Sequence, residues 1–352
     1  MGETARKKED ENIEPEQRGT AEIIDLAQKR GEKQENELQG KIGQERMESR
    51  EQFKSLIDEV SAQYESLPEA MKKDFIIHNG EILDNTIDLA MRKGLSKEEI
   101  KISELAAILH DKTKADSVPE KYKDISNYTL AMHGKTAAEK VPEILTDERL
   151  KELKVEGDPE MIRQEVAKAI LEHMGPRPGF MTYILEKFNQ DMKNIGEEGV
   201  DYPEADGKIS GVLLAADMKS LAGEKGRNKV LSIRANVKPF IDADLKTVEE
   251  YKKYGIDLSQ GEAALLSGFD SAFQARDMQK DEENRKWINK AIEDSQEVEY
   301  DFPPKSENGE KSEEINYNFP RETVTWQKAS SKRRQYEEAR KVEEARKKLQ
   351  AA

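Results

Sequence analysis

The chain of 352 residues contains no cysteine, which excludes disulfide bonds and thiolate metal sites. It also lacks any apolar run long enough to span a bilayer, and its first residues contain no apolar signal segment. These absences predict a cytoplasmic protein without a membrane segment. Acidic residues outnumber basic ones and give a net charge of −15, which argues against bulk affinity for nucleic acid or anionic membranes.

Hydrophobic residues are also scarce, at 35% against 37% charged residues, so much of the chain must lie outside a dense core. Residues 1–50 contain no aromatic side chain and mix acidic with basic groups, which predicts a disordered segment or a solvated helix. From 51 to 235 helical periodicity dominates and no strand alternation is convincing. The sequence therefore predicts an all-α bundle with charged, partly disordered extensions at both ends.

Two further regions follow this predicted domain. Residues 236–294 contain shorter amphipathic helices that could pack on the domain, on a second copy or on a protein partner. Residues 295–352 are predicted to form a linker, from Ser295 to about Phe319, and then an exposed charged helix, from Lys328 to Leu349. The basic excess of that helix fits docking to an acidic partner or RNA, and it equally fits a solvated charged surface.

The strongest signal lies in the few histidines that are present. All four fall between 78 and 173, and each shares a helical face with apolar residues; they are His78, His110, His133 and His173. Asp111 follows the second histidine directly, and Asp217 interrupts an apolar helix in the sequence LLAADM. Ionisable groups on apolar faces are rarely buried without partners, so five predicted helices direct imidazole or carboxylate groups towards one interior.

Taken singly, each of these residues has a plainer interpretation. A histidine on an apolar face can be a hydrogen-bonded core residue, and Asp217 could cap a neighbouring helix or pair with a lysine. The conjunction of four inward histidines and two inward aspartates in so histidine-poor a chain favours a metal site.

The segments HNGEILDNTIDLAMRKGLSKEEIKISELAAILHDKTK, MHGKTAAE, ILEHMGPRPG and LLAADMKSLAG resemble the HD superfamily of metal-dependent phosphohydrolases, over about Phe53 to Arg234. The resemblance implies that one metal is held by His78, His110, Asp111 and Asp217. It implies a second metal at His133 and His173, which match the added histidines of the binuclear branch, with Asp111 bridging. One departure is that Lys112 and Thr113 stand where the family has small residues.

Imidazole and carboxylate ligands suit iron, manganese, cobalt, nickel or zinc, and the sequence does not choose among these divalent ions. Two such ions lower the pKa of a shared water and neutralise phosphoryl charge, so water would be the nucleophile. Asp111 would bridge the ions, while Lys114, in the last place of the HDxxK pattern, and Arg177 would neutralise phosphate oxygens. Both cations could instead be solvated surface charges.

The predicted substrate is a nucleotide or another phosphorylated small molecule. The added histidines and the GPRPG run look most like the branch that hydrolyses diadenosine tetraphosphate symmetrically, although such a run can also be a stiff turn. The guanosine tetraphosphate hydrolase branch is disfavoured, because HDKTKAD lacks its HDxxED acidic pair. The alternative is a non-catalytic nucleotide sensor or scaffold that binds partners through its charged termini.

Overall fold

A computed structural model describes residues 15–67, 69–125, 127–175, 180–304 and 321–351. These residues form fourteen α-helices, two 3-10 helices and one two-stranded sheet. The helices are α1 (Pro15–Gln52), α2 (Lys54–Ala62), α3 (Glu69–Arg92), α4 (Lys97–Leu109), α5 (Tyr128–Ile144), α6 (Asp147–Glu152), α7 (Pro159–Glu172), α8 (Phe180–Asn194), α9 (Lys208–Ala222), α10 (Glu224–Asn236), α11 (Lys238–Lys252), α12 (Gln260–Asp277), α13 (Glu282–Gln296) and α14 (Trp326–Ala351). The 3-10 helices are Gln63–Ser66 and Glu120–Tyr122, and the strands are β1 (Glu299–Phe302) and β2 (Glu322–Thr325). The predicted all-α class is confirmed.

Two helices begin at the caps that the sequence indicates. The Ser96 hydroxyl accepts from the Glu99 amide at 3.2 Å, and the Glu99 carboxylate accepts from the Ser96 amide at 2.8 Å, which closes a capping box before α4. Asp158 accepts from the Glu160 amide at 3.1 Å at the start of α7, with Pro159 in the first helical position. These helices end directly before His110 and His173, so their extents decide where both imidazoles lie.

One apolar core lies among α3, α4, α5, α7 and α9, which pack against one another. Its fully buried members include Ile82 of α3, Leu105 of α4, Ile170 of α7 and Leu213 of α9. Burying each such side chain contributes about 1.5–3 kcal/mol. This core therefore fixes the five helices that carry the predicted ligands.

A second apolar core joins α9 to α10, α12, α13 and the sheet. β1 pairs antiparallel with β2, with Tyr300 opposite Val324, and both of these side chains are buried. The segment predicted as a linker from Ser295 therefore contributes a strand that the sequence analysis did not anticipate. Alternation over four residues is too short a signal to separate a strand from a loop.

The predicted exposed helix is also partly covered. Ala329, near the start of α14, is fully buried, and Tyr336 stacks on Tyr251 of α11 with ring centroids 4.3 Å apart. The later part of α14 is more open, since even its apolar side chains are exposed, Val342 by 54% and Leu349 by 78%. The amino-terminal half of α14 packs on α11 through Tyr336 and pairs with α12 through Lys332 and Glu262. A few apolar and aromatic side chains together with such ion pairs are enough to hold a helix that is rich in charged residues.

Residues Met1–Glu48 and Ser49–Ala352 form two compact units. In the first unit, the described residues belong to α1. The disorder predicted for the beginning of the chain falls partly on residues 1–14, and part of the predicted linker falls on 305–320; both ranges lie outside the described residues. Among the helices that are described, none combines the length and apolarity needed to cross a bilayer.

Candidate metal centre

The structure brings the six predicted ligands together. Each comes from a helix of the first core or from the residue that follows one: His78 lies on α3, His110 and Asp111 directly after α4, His133 on α5, His173 directly after α7 and Asp217 on α9. Ring centroids lie 5.8 Å apart for His78 and His110, 5.3 Å for His110 and His173, and 5.7 Å for His133 and His173. Four imidazoles that are distant in sequence thus form one cluster.

Asp111 lies at the centre of this cluster, and its carboxylate is fully buried. Its Oδ1 lies 3.3 Å from His110 Nε2 and 3.5 Å from His133 Nε2, whereas its Oδ2 lies 3.6 Å from His78 Nε2. His78 Nε2 is also 3.5 Å from Asp217 Oδ1. Asp111 therefore faces histidines on both sides of the cluster.

Two sets of ligand atoms are compact enough to hold a cation. One set comprises His78, His110 and Asp111, the other Asp111, His133 and His173, and the ligand atoms of each lie within 4.8 Å of one another. Asp111 belongs to both sets, which is the placement of a bridging carboxylate.

Backbone contacts orient three of the imidazoles. His110 Nδ1 lies 2.7 Å from the Ala107 carbonyl oxygen, and His133 Nδ1 lies 2.7 Å from that of Leu130. His173 Nδ1 makes the same contact with the Ile170 carbonyl. An Nδ1 that donates to a carbonyl carries the ring proton, so Nε2 presents its lone pair to the cluster.

The Nε2 atoms and the carboxylate oxygens that face one another inside the cluster are therefore mostly hydrogen-bond acceptors. Among the described residues, His110 Nε2 and Asp111 Oδ1 are buried and have no hydrogen-bond partner. A lone pair and a carboxylate oxygen at 3.3 Å repel each other unless a proton or a cation lies between them. The donor set of imidazole nitrogens and carboxylate oxygens fits a divalent transition metal.

Burial and charge act in opposite directions on the titratable groups. Burial lowers the pKa of His78 to about 4, although Asp217 and Asp111 act to raise it, so this imidazole is neutral at pH 7. Burial disfavours the ionised form of Asp111, yet the pKa of this carboxyl lies well below its usual range. With the imidazoles neutral, the cation that favours its ionised form is Lys114, with Nζ 2.6 Å from Asp111 Oδ2. A neutral imidazole and an ionised carboxylate are the forms that bind metals.

Tyr64 and Thr113 support the cluster, and the sequence analysis missed both. The Tyr64 hydroxyl donates to the Asp111 carbonyl at 3.3 Å and accepts from Asn79 Nδ2 at 2.9 Å. The Thr113 hydroxyl donates to the His133 carbonyl at 3.0 Å. These bonds tie the residues after α4 to neighbouring elements, and nothing in the sequence periodicity indicates them.

The departure at Lys112 and Thr113 adds no charge to the cluster. Lys112 Nζ lies 3.1 Å from Glu59 Oε1 on α2, so the lysine pairs away from the histidines. The Thr113 hydroxyl is engaged with α5, both at His133 and at Thr136 Oγ1, 2.7 Å away. The local electrostatics therefore depend on Lys114 and not on these two residues.

Lys114 lies beside the cluster, as the HDxxK spacing predicts. Its Nζ donates to Asp111 Oδ2 at 2.6 Å, and its side chain is 17% exposed. His78 is 15% exposed, whereas His110 is fully buried, so the cluster opens to solvent on the side of α3 and Lys114. Arg177 lies outside the described residues, and its role as a phosphate ligand stays a prediction.

A separate cavity of about 660 Å³ lies beside the end of α7, where Met174 and Tyr202 line it. Glu186, Asp201 and Asp277 also line it, and three carboxylates would repel an anionic substrate. None of the six predicted ligands lines this cavity, so it is not the place where their chemistry would occur.

The six-residue cluster thus combines convergent ligand atoms, oriented imidazoles and one solvent-facing side. Comparison of the chain with protein-family models, curated proteins and solved structures finds no match.

Proposed function

We propose that this protein is a metal-dependent phosphohydrolase of the HD type, which cleaves a phosphate ester or anhydride of a nucleotide. The proposal is supported above all by Asp111, a buried carboxylate shared by two ligand sets whose histidines present lone pairs to it. Without a cation, this arrangement places acceptors against acceptors in a region that water hardly reaches.

Six ligands, one of which is a carboxylate shared by two sets, fit two divalent ions better than one. His78, His110, Asp111 and Asp217 would hold the first ion, and Asp111, His133 and His173 the second. Such a pair supplies hydroxide at neutral pH and neutralises phosphoryl charge. The choice among iron, manganese, cobalt, nickel and zinc rests with the ions that the cell provides, because this ligand set accepts all five.

The residues of the chain would hold and orient the substrate. An ion bound to Asp111 would compete with Lys114 for Oδ2 and repel its ammonium group. Lys114 would then turn towards the open side, where it can bind a non-bridging phosphate oxygen. Tyr64 and Thr113 would keep Asp111 and His133 in place, and the apolar core behind them would exclude water from the other side.

The test is a metal analysis of protein purified without chelator, run beside a substrate panel. The panel contains dinucleoside polyphosphates, nucleotides and cyclic dinucleotides, each assayed with manganese or iron. We expect about two ions per chain and release of phosphate or a nucleotide from at least one compound. His110→Ala should abolish release while the circular dichroism spectrum stays helical.

Two results would contradict the proposal. Protein that contains no divalent ion and takes none up would remove its basis. Metal-loaded protein that binds a nucleotide saturably but turns over nothing on the panel would favour the alternative, a nucleotide sensor.

A further inference from the structure

The ligands around Asp111 come from two different pairs of packed helices. His78 lies on α3, which packs against α9, the helix of Asp217. His133 lies on α5, which packs against α7, the helix that ends before His173. Asp111 follows α4 and belongs to both ligand sets. The spacing of each set therefore depends on how the residues after α4 are held, against α3 on one side and against α5 on the other.

Tyr64 joins the residue that carries the shared carboxylate to α3. Its hydroxyl donates to the Asp111 carbonyl at 3.3 Å and accepts from Asn79 Nδ2 at 2.9 Å. Asn79 directly follows His78 on α3, and the Tyr64 ring stacks on Phe75 of the same helix with centroids 5.0 Å apart. The tyrosine is fully buried, so water does not compete for these contacts. One side chain thus contacts α3 before and after His78 and also contacts Asp111.

Thr113 makes the corresponding link to α5. Its hydroxyl donates to the His133 carbonyl at 3.0 Å and lies 2.7 Å from Thr136 Oγ1, one turn further along α5. Thr113 is also buried. Because it follows Asp111 by two positions, this threonine holds the shared carboxylate against the helix that carries His133.

The two links act on opposite sides of the shared carboxylate. His78 Nε2 lies 3.6 Å from Asp111 Oδ2, whereas His133 Nε2 lies 3.5 Å from Asp111 Oδ1. Tyr64 reaches the helix of the first histidine, and Thr113 reaches the helix of the second. Loss of one hydroxyl therefore loosens the carboxylate towards one histidine and leaves the link to the other histidine in place.

We propose that Tyr64 and Thr113 are positioning residues that set the affinities of the two metal ions separately, Tyr64 for the ion at His78 and Thr113 for the ion at His133. This inference rests on the proposed function, because it takes the cluster to hold two ions. It extends that function, since each ion can then be weakened on its own without replacing any ligand.

The test measures manganese affinity by calorimetry on the full chain, stripped of metal beforehand, in variants that keep one ion. His133→Ala keeps the ion at His78, and His78→Ala keeps the ion at His133. Adding Tyr64→Phe to His133→Ala should weaken manganese binding by about tenfold or more, because a bond that orients a ligand is lost. Adding Tyr64→Phe to His78→Ala should change the affinity by less than about twofold.

Thr113→Val should give the opposite pattern. Added to His78→Ala, it should weaken manganese binding by about tenfold or more, and added to His133→Ala it should have little effect. Asn79→Ala breaks the link between Tyr64 and α3 by another route, so it should reproduce the pattern of Tyr64→Phe.

Tyr300→Phe is the matched control in the second core. The buried Tyr300 hydroxyl also donates to a backbone carbonyl, that of Ser295, at 2.7 Å. Its removal should lower the urea midpoint of unfolding as Tyr64→Phe does, and it should leave both manganese affinities unchanged.

The results that would overturn the inference differ from those that would overturn the proposed function. Equal losses at both ions, or no loss at either, in Tyr64→Phe or in Thr113→Val would overturn the role of that residue and leave the metal centre standing. A loss of manganese affinity in Tyr300→Phe would overturn the inference too, since it would attribute the effect to stability. If the natural protein bound no manganese, the proposed function itself would fail.

Discussion

The cluster around Asp111 and the region of α10, α11, α12 and α14 both bury acidic side chains, but they differ in what faces those acids. In the second region each of two buried acids meets a basic group. Asp244 accepts from Arg234 Nη2 at 2.5 Å and from Nε at 3.1 Å, and Glu262 lies 2.6 Å from Lys332 Nζ. Both carboxylates are fully buried.

At the cluster, by contrast, Asp111 faces several imidazole lone pairs, and Lys114 is the cation that contacts it. Removing a charge from water costs several kcal/mol, so a buried acid needs compensation. The second region finds it within the chain and has a structural role. In the part of the chain that the structure describes, two buried acceptors of the cluster, His110 Nε2 and Asp111 Oδ1, have no hydrogen-bond partner, which is the feature expected of a site for an external cation.

The largest expected effect comes from exchanging one buried aspartate in each region. Asp111→Asn should lose both ions and lower turnover by roughly a thousandfold or more, about 4 kcal/mol of barrier. Asp244→Asn should keep its metal and activity but lose about 1–3 kcal/mol of folding free energy, because Arg234 is left unpaired. Metal content, kinetics and urea unfolding of both variants separate the two roles. Equal metal content in the two variants would show that Asp111 does not bind metal and that the two buried aspartates do not differ in role.

A smaller effect is expected from removing one ligand at a time. His78→Ala and His133→Ala lie on opposite sides of Asp111, so each should lower bound metal from about two ions to one and reduce activity by roughly a hundredfold. Elemental analysis of each variant gives the stoichiometry. If either variant lost both ions, or neither, the assignment of two separate ligand sets would be wrong.

Metal removal should destabilise the fold, because an ion that binds only the folded state adds stability. At a free metal concentration of 100 times the dissociation constant, that contribution is about 2.7 kcal/mol. Chelator should therefore lower the unfolding temperature of the natural protein by several degrees. The same chelator should leave Asp111→Asn unchanged, and an equal shift in that variant would point to metal bound elsewhere.

The smallest effect concerns pH and the docking of α14. Burial opposes ionisation of Glu262, but Lys332 and the Ser259 amide outweigh it and hold the pKa of this carboxyl below its ordinary 4.5. Because the folded-state pKa is depressed, the pair stabilises α14 above pH 4.5, and this stabilisation is lost as the pH falls through the folded-state value.

The protection factors of the α14 amides near Lys332, taken relative to the intrinsic exchange rate at each pH, should therefore fall below pH 4.5. Glu262→Gln should show that lower protection already at pH 7, at a cost of about 1–3 kcal/mol. Glu283→Gln on α13, where the side chain is 68% exposed, serves as the control and should show the protection of the natural protein at both pH values. Slow exchange near Lys332 at pH 7 in Glu262→Gln would show that α14 is held by its apolar contacts alone.

The sequence predicted the helices and the convergence of the six side chains because both depend on local pattern. A histidine such as His173, at the end of an apolar helical stripe, must point inward wherever the helix is placed. The pairing of β1 with β2 joins Tyr300 to Val324 across a long interval, which no periodicity records.

Side-chain pairs between elements that are distant in sequence were not predicted either, because local periodicity does not indicate them. Lys332 belongs to a helix in which charged residues are common, and its half-buried ammonium group finds its partners on other parts of the chain, the Glu262 carboxylate and the Asp257 carbonyl. Tyr64 supports Asp111 through a hydroxyl that reaches a backbone carbonyl 47 positions later. Such contacts are set by tertiary packing, to which a single sequence without its fold gives no access.

Each of His110, His133 and His173 contacts the carbonyl of the residue three positions earlier, so each ring is clamped by its own backbone. The rings are thus aimed before the helices assemble, and little rotational freedom remains to be lost when an ion arrives. A substitution that slides one helix by a fraction of an ångström would carry its ligand along as a rigid unit. Affinity for a metal at this site would then decline before the fold weakens, so the uptake of an ion would report on the packing of the helices that carry these histidines.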